Sequence, residues 1–154
     1  MTGYVLGIDP GKTGAIAIVS DDCELLDVVD MPDAAGSALG AQIRQLTDDW
    51  APLDLTAAWV EQVASRPGQG VRSVFTFGMG YGSILGALGA LGIPVHHVTP
   101  ATWKKSQRVT ADKDRSRQRA TELWPGQASW FARKKDDGRA EAALIARYGA
   151  MADG

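Results

Sequence analysis

Two carboxylates stand at the ends of apolar runs. Asp9 closes Val5-Leu6-Gly7-Ile8, and Pro10-Gly11-Lys12-Thr13-Gly14 turns the chain directly into a second apolar run, Ala15-Ile16-Ala17-Ile18-Val19. Glu61 closes Ala57-Ala58-Trp59-Val60. A charge at the mouth of a buried strand is costly unless something compensates it, most simply a cation. An aspartate before Pro-Gly is also ordinary turn chemistry, and the first stretch by itself supports both readings equally. Much further along, Asp137 and Glu141 are four residues apart, on one face of a helix, where two like charges are mildly destabilising. A capping aspartate with an exposed glutamate is the plain reading of that pair. It loses ground because Asp9 and Glu61 already await company.

Three or four gathered carboxylates repel one another unless divalent ions neutralise them, and all-oxygen ligation suits Mg²⁺ or Mn²⁺ rather than zinc. Two such ions roughly 4 Å apart activate water and stabilise the leaving oxygen of a phosphodiester. The chain's charge is distributed to suit such a substrate. The net charge of −2 hides a split: residues 1–62 hold eleven acids against two bases, and residues 63–154 hold seven acids against fourteen bases. The densest basic run is Lys104, Lys105, Arg108, Lys113, Arg115, Arg117 and Arg119, interrupted by Asp112 and Asp114. It is a candidate phosphate-binding surface, although such a run alone is more often a solvated helix face. Arg66, Gln69 and Arg72 after the Glu61 strand, and Lys134 and Lys135 before the last helix, are further candidates for DNA contact.

With 154 residues and 45% hydrophobic content the chain is expected to form one domain, 1–154, with a proper core. Cys23 is alone, which excludes an intramolecular disulfide and a cysteine metal cluster. The N-terminus lacks a basic region followed by an apolar core, and no uninterrupted apolar run approaches the roughly 18 residues of a membrane span. No membrane partner is expected, and the cytoplasm is the expected location.

The elements that must position these residues follow from periodicity. Residues 5–9 and 15–19 read as a hairpin, and 24–31 as a third strand closing a meander before Pro32. Leu39, Ile43, Leu46 and Trp50, at spacings of three and four, predict a crossover helix over 37–50 before a fourth strand at 57–61. If the Asp9 and Glu61 strands are parallel neighbours, their carboxyl ends share the sheet edge where open α/β sheets place their sites. Residues 71–91 hold Gly78, Gly80, Gly82, Gly86, Ala87, Gly89 and Ala90, poor helix formers on balance but suited to close backbone approach. Composition favours packing within the subunit over a shared dimer helix. Residues 93–98 form a fifth strand, with Pro94 hinting at an edge and His96 and His97 pointing to opposite faces, unable to share a metal. Thr99 caps the next helix with Pro100 at its first position; 113–123 is helical, and the last helix covers roughly 137–147.

Strand acid, strand acid, basic segment, helix acid, with three strands before the first long helix, points to an α/β protein of ribonuclease H-like fold: a mixed five-stranded sheet, a three-stranded meander plus parallel strands, flanked by helices. Over nearly its whole length the chain resembles the RuvC-type Holliday junction resolvases, especially the short versions of bacteriophages and prophages. The carriers are Gly7-Ile8-Asp9-Pro10-Gly11, Val60-Glu61-Gln62-Val63, the Trp103-Lys104-Lys105 region, Lys113, and Asp137-Gly138-Arg139-Ala140-Glu141-Ala142. The first motif alone is shared in form with actin-like ATPases; the ordered set is more specific.

The resemblance implies a metal-dependent endodeoxyribonuclease, a homodimer that binds a four-way junction in branched DNA. It would nick two strands symmetrically, leaving 5′-phosphate and 3′-hydroxyl ends, with two Mg²⁺ or Mn²⁺ ions per site. By motif match Asp9 would bridge the metals, Glu61 would ligate one, and Asp137 and Glu141 would complete the set. Lys113, with Lys104 or Lys105, would steady the scissile phosphate. Family members often place the last two acids three residues apart, which from Glu141 lands on Gly138, so the partner here is Asp137 or, second to it, Asp136. The family's best-studied members also carry an aromatic after Glu-Gln, where this chain has Ala64-Ser65-Arg66, which leaves room for a wider range of branched DNA. The nearest alternative is a ribonuclease H-like nuclease acting on flaps, forks or RNA. An actin-like phosphotransferase using Gly11-Lys12-Thr13-Gly14 would need a second glycine-rich segment and a second domain. A non-catalytic DNA-binding module would not need acids at every motif position.

Overall fold

The computed structural model describes residues 2–152, the side chain of Lys113 excepted. Five strands, β1 (Gly3–Asp9), β2 (Ala15–Ser20), β3 (Leu25–Asp30), β4 (Asp54–Glu61) and β5 (Val95–Val98), form one mixed sheet in the order β3-β2-β1-β4-β5. The first three make the antiparallel meander; β4 runs parallel to β1 and β5 parallel to β4. The central strands are apolar on both sides because both sheet faces are covered. On one face α1 (Gly36–Asp49) and α2 (Val71–Ala90) pack Leu39, Ile43, Ile84 and Leu88 against Leu6, Ile8, Ile16, Ile18, Ala58 and Val60. On the other lie α3 (Pro100–Gln107), α4 (Lys113–Leu123) and α5 (Asp137–Ala152), the last two joined through 3-10 segments at Pro125–Phe131 and Lys134–Asp136. Their Trp103, Ala120, Phe131, Ala143 and Ala146 meet Val5, Ala15, Ala17 and Val19. This is the expected ribonuclease H-like α/β arrangement.

The helix α5 lies directly on the middle strands because the crossing residues have almost no side chain. A Cβ at Gly7 would collide with the backbone of Ala142 and Ala146, and one at Gly138 with the carbonyl of Thr13. The helix therefore passes from the β1–β2 turn over β1 towards Trp59 on β4. It continues to Ala152, beyond the expected end at 147, because Gly149 and Ala150 are themselves buried. β5 is an edge strand that starts at Val95, just after Pro94, whose carbonyl accepts the Ala58 N–H at 2.8 Å. His96 stacks on Trp59, with ring centroids 4.7 Å apart, whereas His97 lies near Tyr81 on the opposite face.

In α2 the structure departs from one expectation. Gly78, Gly80, Gly82, Gly86 and Gly89 face open space, so these glycines do not serve packing within the subunit, whereas Ala87 packs against the core beside α1. Ile84 and Leu88 are buried in the core, while Val71, Phe75 and Met79 stand exposed. By length and composition the helix is also apolar enough to cross a membrane. An uninterrupted run of large apolar residues is absent, but glycine and alanine add no charge, and Arg72 is the only ionic residue in its 20.

Candidate active site

Asp9 and Glu61 emerge on one edge of the sheet. Ile8 pairs with Val60 in the parallel β1–β4 register, so the two acids are the next residues on neighbouring strands. Side chains alternate along a strand, and Val5 and Trp59 belong to the α5 face; Asp9 and Glu61 therefore belong to it too. Past Asp9 the turn is closed by the Gly14 N–H donating to the Gly11 carbonyl at 3.1 Å. The α5 seat brings the other two acids to this place. Asp137 is the first residue of the helix, immediately before the Gly138 contact with Thr13; Glu141, 8% exposed, immediately precedes Ala142, which abuts Gly7. Backbone placement thus puts Asp9 and Glu61 on the face that α5 covers and Asp137 and Glu141 in the first turns of that helix. The carboxylates do not close into a ready-made cage, since among the described residues no three His, Cys, Asp or Glu side chains are grouped to hold an ion.

Glu61 is gripped at two points. The Trp103 indole N–H donates to its carboxylate Oε2 at 2.7 Å, and the Tyr81 hydroxyl donates to its backbone carbonyl at 3.4 Å. Burial, and secondarily the Glu61 charge, push the Tyr81 hydroxyl's pKa up. Asp136 is used otherwise. Its carboxylate is 1% exposed and accepts the Arg133 backbone N–H at 2.8 Å and the Arg133 guanidinium at 2.9 Å. Burial works to raise its pKa, but these hydrogen bonds, with the charges of Arg139 and Arg133, hold it below the usual carboxylate range. Asp136 locks the entry to α5. Arg139, between the two helix acids, turns to β3 and donates to both Asp30 oxygens at 2.8 and 2.9 Å, which draws the Asp30 carboxyl below its ordinary range. That pair ties the first turns of α5 to the meander.

The basic residues divide into two groups. Arg66, Gln69 and Arg72, all exposed, follow the carboxyl end of β4, where the Gln69 side chain accepts the Arg66 N–H and closes the turn. Lys134 and Lys135 are exposed just before α5; Lys105 and Arg108 are exposed at the end of α3, and Lys104 lies with its ammonium 5.6 Å from the Trp103 ring centroid. Arg108 adopts a left-handed φ of 61°. Lys113 heads α4, and its side chain lies outside the described residues. The α4 arginines are occupied. Arg115 pairs with Glu122 at 3.3 Å, and Arg117 pairs with Asp114 at 2.7 Å while donating to the Phe131 and Ala132 carbonyls. Much of the 113–119 charge therefore holds α4 in place, whereas the 104–108 charge is presented outward. A cavity of about 540 Å³ between α4 and Ala128–Ala132 is lined by Asp114, Arg117 and Glu122 and holds none of the four acids. Asp9, Glu61 and Asp137 are half-buried and Glu141 is buried.

Sequence reasoning missed Tyr81 and Arg133, and named Trp103 and Arg139 only within their motifs, without these contacts. Trp103 and Glu61 are 42 residues apart, and no spacing links them. Carboxylate oxygens are the donor type that suits a hard divalent cation, and Glu61 carries an uncharged N–H rather than a competing cation. No protein-family model matches the sequence, and no curated protein matches it either. Two solved structures are similar over almost the whole chain. T. thermophilus RuvC in complex with Holliday junction substrate is 18% identical with a TM-score of 0.64, covering 98% of this chain and 95% of that one. A Thermus thermophilus RuvC structure is 21% identical with a TM-score of 0.58, covering 97% and 96%. The shared property at these identities is the fold: this chain has the ribonuclease H-like sheet and helices in the RuvC arrangement.

Proposed function

We propose that the protein is a divalent-metal-dependent endonuclease that resolves four-way DNA junctions, acting as a homodimer and leaving 5′-phosphate and 3′-hydroxyl ends. The observation that supports this best is the acid edge, with Asp9 and Glu61 on adjacent strand ends and Asp137 and Glu141 on the helix laid across them. It sits in a fold shared end to end with a protein solved on Holliday junction substrate. These four acids would hold Mg²⁺ or Mn²⁺, two ions per site by the resemblance, and the bound ions would supply an activated water and charge stabilisation at the leaving oxygen. The remaining work belongs to the chain's cations. Lys104, Lys105, Arg66, Arg72, Lys134 and Lys135 bind backbone phosphates beside the edge, and Lys113 steadies the scissile one. Such a substrate places the protein in the cytoplasm of a bacterial or phage-infected cell.

Two symmetric cuts need two edges. The exposed side of α2 carries Gly78, Gly82 and Gly86 at four-residue intervals with Phe75 and Met79, a surface on which the same helix of a second copy can approach closely across a two-fold axis. A wider branched-DNA specificity is the second reading, favoured by the 64–70 loop, which is exposed throughout and carries no aromatic. The test is incubation of purified protein with end-labelled four-way junction, fork, flap, linear duplex and RNA–DNA hybrid, in Mg²⁺, Mn²⁺ or chelator. Metal-dependent cutting of the junction with linear duplex spared is the expected result, and Asp9→Asn should bind the junction without cutting it. Preference for flaps or forks supports the second reading; absence of cleavage in either metal contradicts both.

A further inference from the structure

Resting on the reading of Glu61 as a cation-holding acid, we propose that Trp103 is its positioning residue: the indole N–H sets the Glu61 carboxylate in the pose that receives the divalent cation. Trp103 is completely buried, and its Nε1 stands 2.7 Å from Glu61 Oε2, a short, charge-assisted hydrogen bond. A tryptophan on this face of the sheet does not have to find a carboxylate. Trp124 donates to the Cys23 carbonyl, and Trp59, two residues before Glu61 on the same strand, has no partner for its indole N–H among the described residues. The kind of donor matters. An indole offers one uncharged N–H and no acceptor, so it orients a carboxylate without neutralising it; lysine or arginine there would compete with the metal. Glu61 otherwise has several rotamers that an arriving cation would have to freeze. The Tyr81 hydroxyl on its backbone carbonyl completes the grip from the opposite face.

The seat of α3 fixes where the indole points. Thr99 caps the helix by accepting the Thr102 N–H at 3.3 Å, and at its other end buried Gln107 accepts from Arg147 at 2.7 Å. Mn²⁺ binding to the DNA-free protein, followed by the paramagnetic resonance of the unbound ion, reads the role directly. Trp103→Phe keeps an aromatic ring in the slot and removes the donor; it should weaken Mn²⁺ about tenfold or more, the usual range for losing a group that orients a ligand. Trp59→Phe should bind as wild type, and cleavage by Trp103→Phe should recover at saturating Mn²⁺. Equal Mn²⁺ affinity in Trp103→Phe and wild type overturns this inference alone. A wild type that binds no Mn²⁺ overturns the acid-edge reading and this inference with it. Should Trp103→Phe fail to fold, the Trp103 indole resonance of the ¹⁵N-labelled wild type decides: it must shift when Mg²⁺ is added, and an unmoved resonance contradicts the proposal.

Discussion

At the scale of single residues, two adjacent aspartates have opposite assignments. Asp136 is buried in the Arg133 clasp, so Asp136→Asn should lower stability by ~1–2 kcal/mol through loss of charge-assisted hydrogen bonds, with junction turnover largely kept. Asp137 opens α5 beside the turn after Asp9, so Asp137→Asn should lower turnover by about a hundredfold or more with little change in melting temperature. Thermal melts and single-turnover rates on both variants check this, and the reverse ranking would reassign the third acid. The Asp30–Arg139 pair supplies a pH test. Its hydrogen bonds hold the folded Asp30 pKa below the unfolded value, so the stabilisation is fully present above about pH 4 and is lost as pH falls through the folded pKa. Asp30 is largely exposed, so the effect should be under about 1 kcal/mol. The melting-temperature gap between wild type and Asp30→Asn should be constant near neutrality and close in acid; a gap that widens in acid would contradict the assignment.

At the scale of elements, α5 works as a carrier whose height above the sheet is set by glycine. Gly7→Ala should push Ala142 and Ala146 away from β1, destabilising the protein by ~1–3 kcal/mol and slowing cleavage as Asp137 and Glu141 move with the helix. Denaturant melts and turnover on the folded variant measure both; an unchanged rate at normal stability would show that the seat does not govern the acids. Much of this carrier was legible beforehand. Apolar runs ending in Asp9 and Glu61 mark strand ends, and the alanines of 140–146 mark a helix packed closely on something. The partner of the α2 glycines was not legible, because small residues permit close approach without naming a neighbour, and here they face outward. Nor does a charge run say which cations are spent. Arg115 and Arg117 look like Lys104 and Lys105 in sequence, yet only the structure shows them tied to Glu122, Asp114 and two carbonyls.

At the scale of the whole molecule, one chain presents one acid edge, and paired incision needs a second edge related by symmetry. Gly82→Leu, on the open side of α2, should leave the fold intact and shift the protein towards monomer by sedimentation, with paired cutting lost in parallel. A dimer that survives this substitution would place the interface elsewhere. The most direct measurement uses a supercoiled plasmid carrying an extruded four-way junction, incubated with the protein in Mg²⁺ or Mn²⁺. Two acid edges acting on one junction should convert it to linear DNA by symmetric nicks in strands of like polarity, and the nicked ends should be sealed by ligase without further processing. Accumulation of singly nicked circles, or products that ligase cannot seal, would contradict the account.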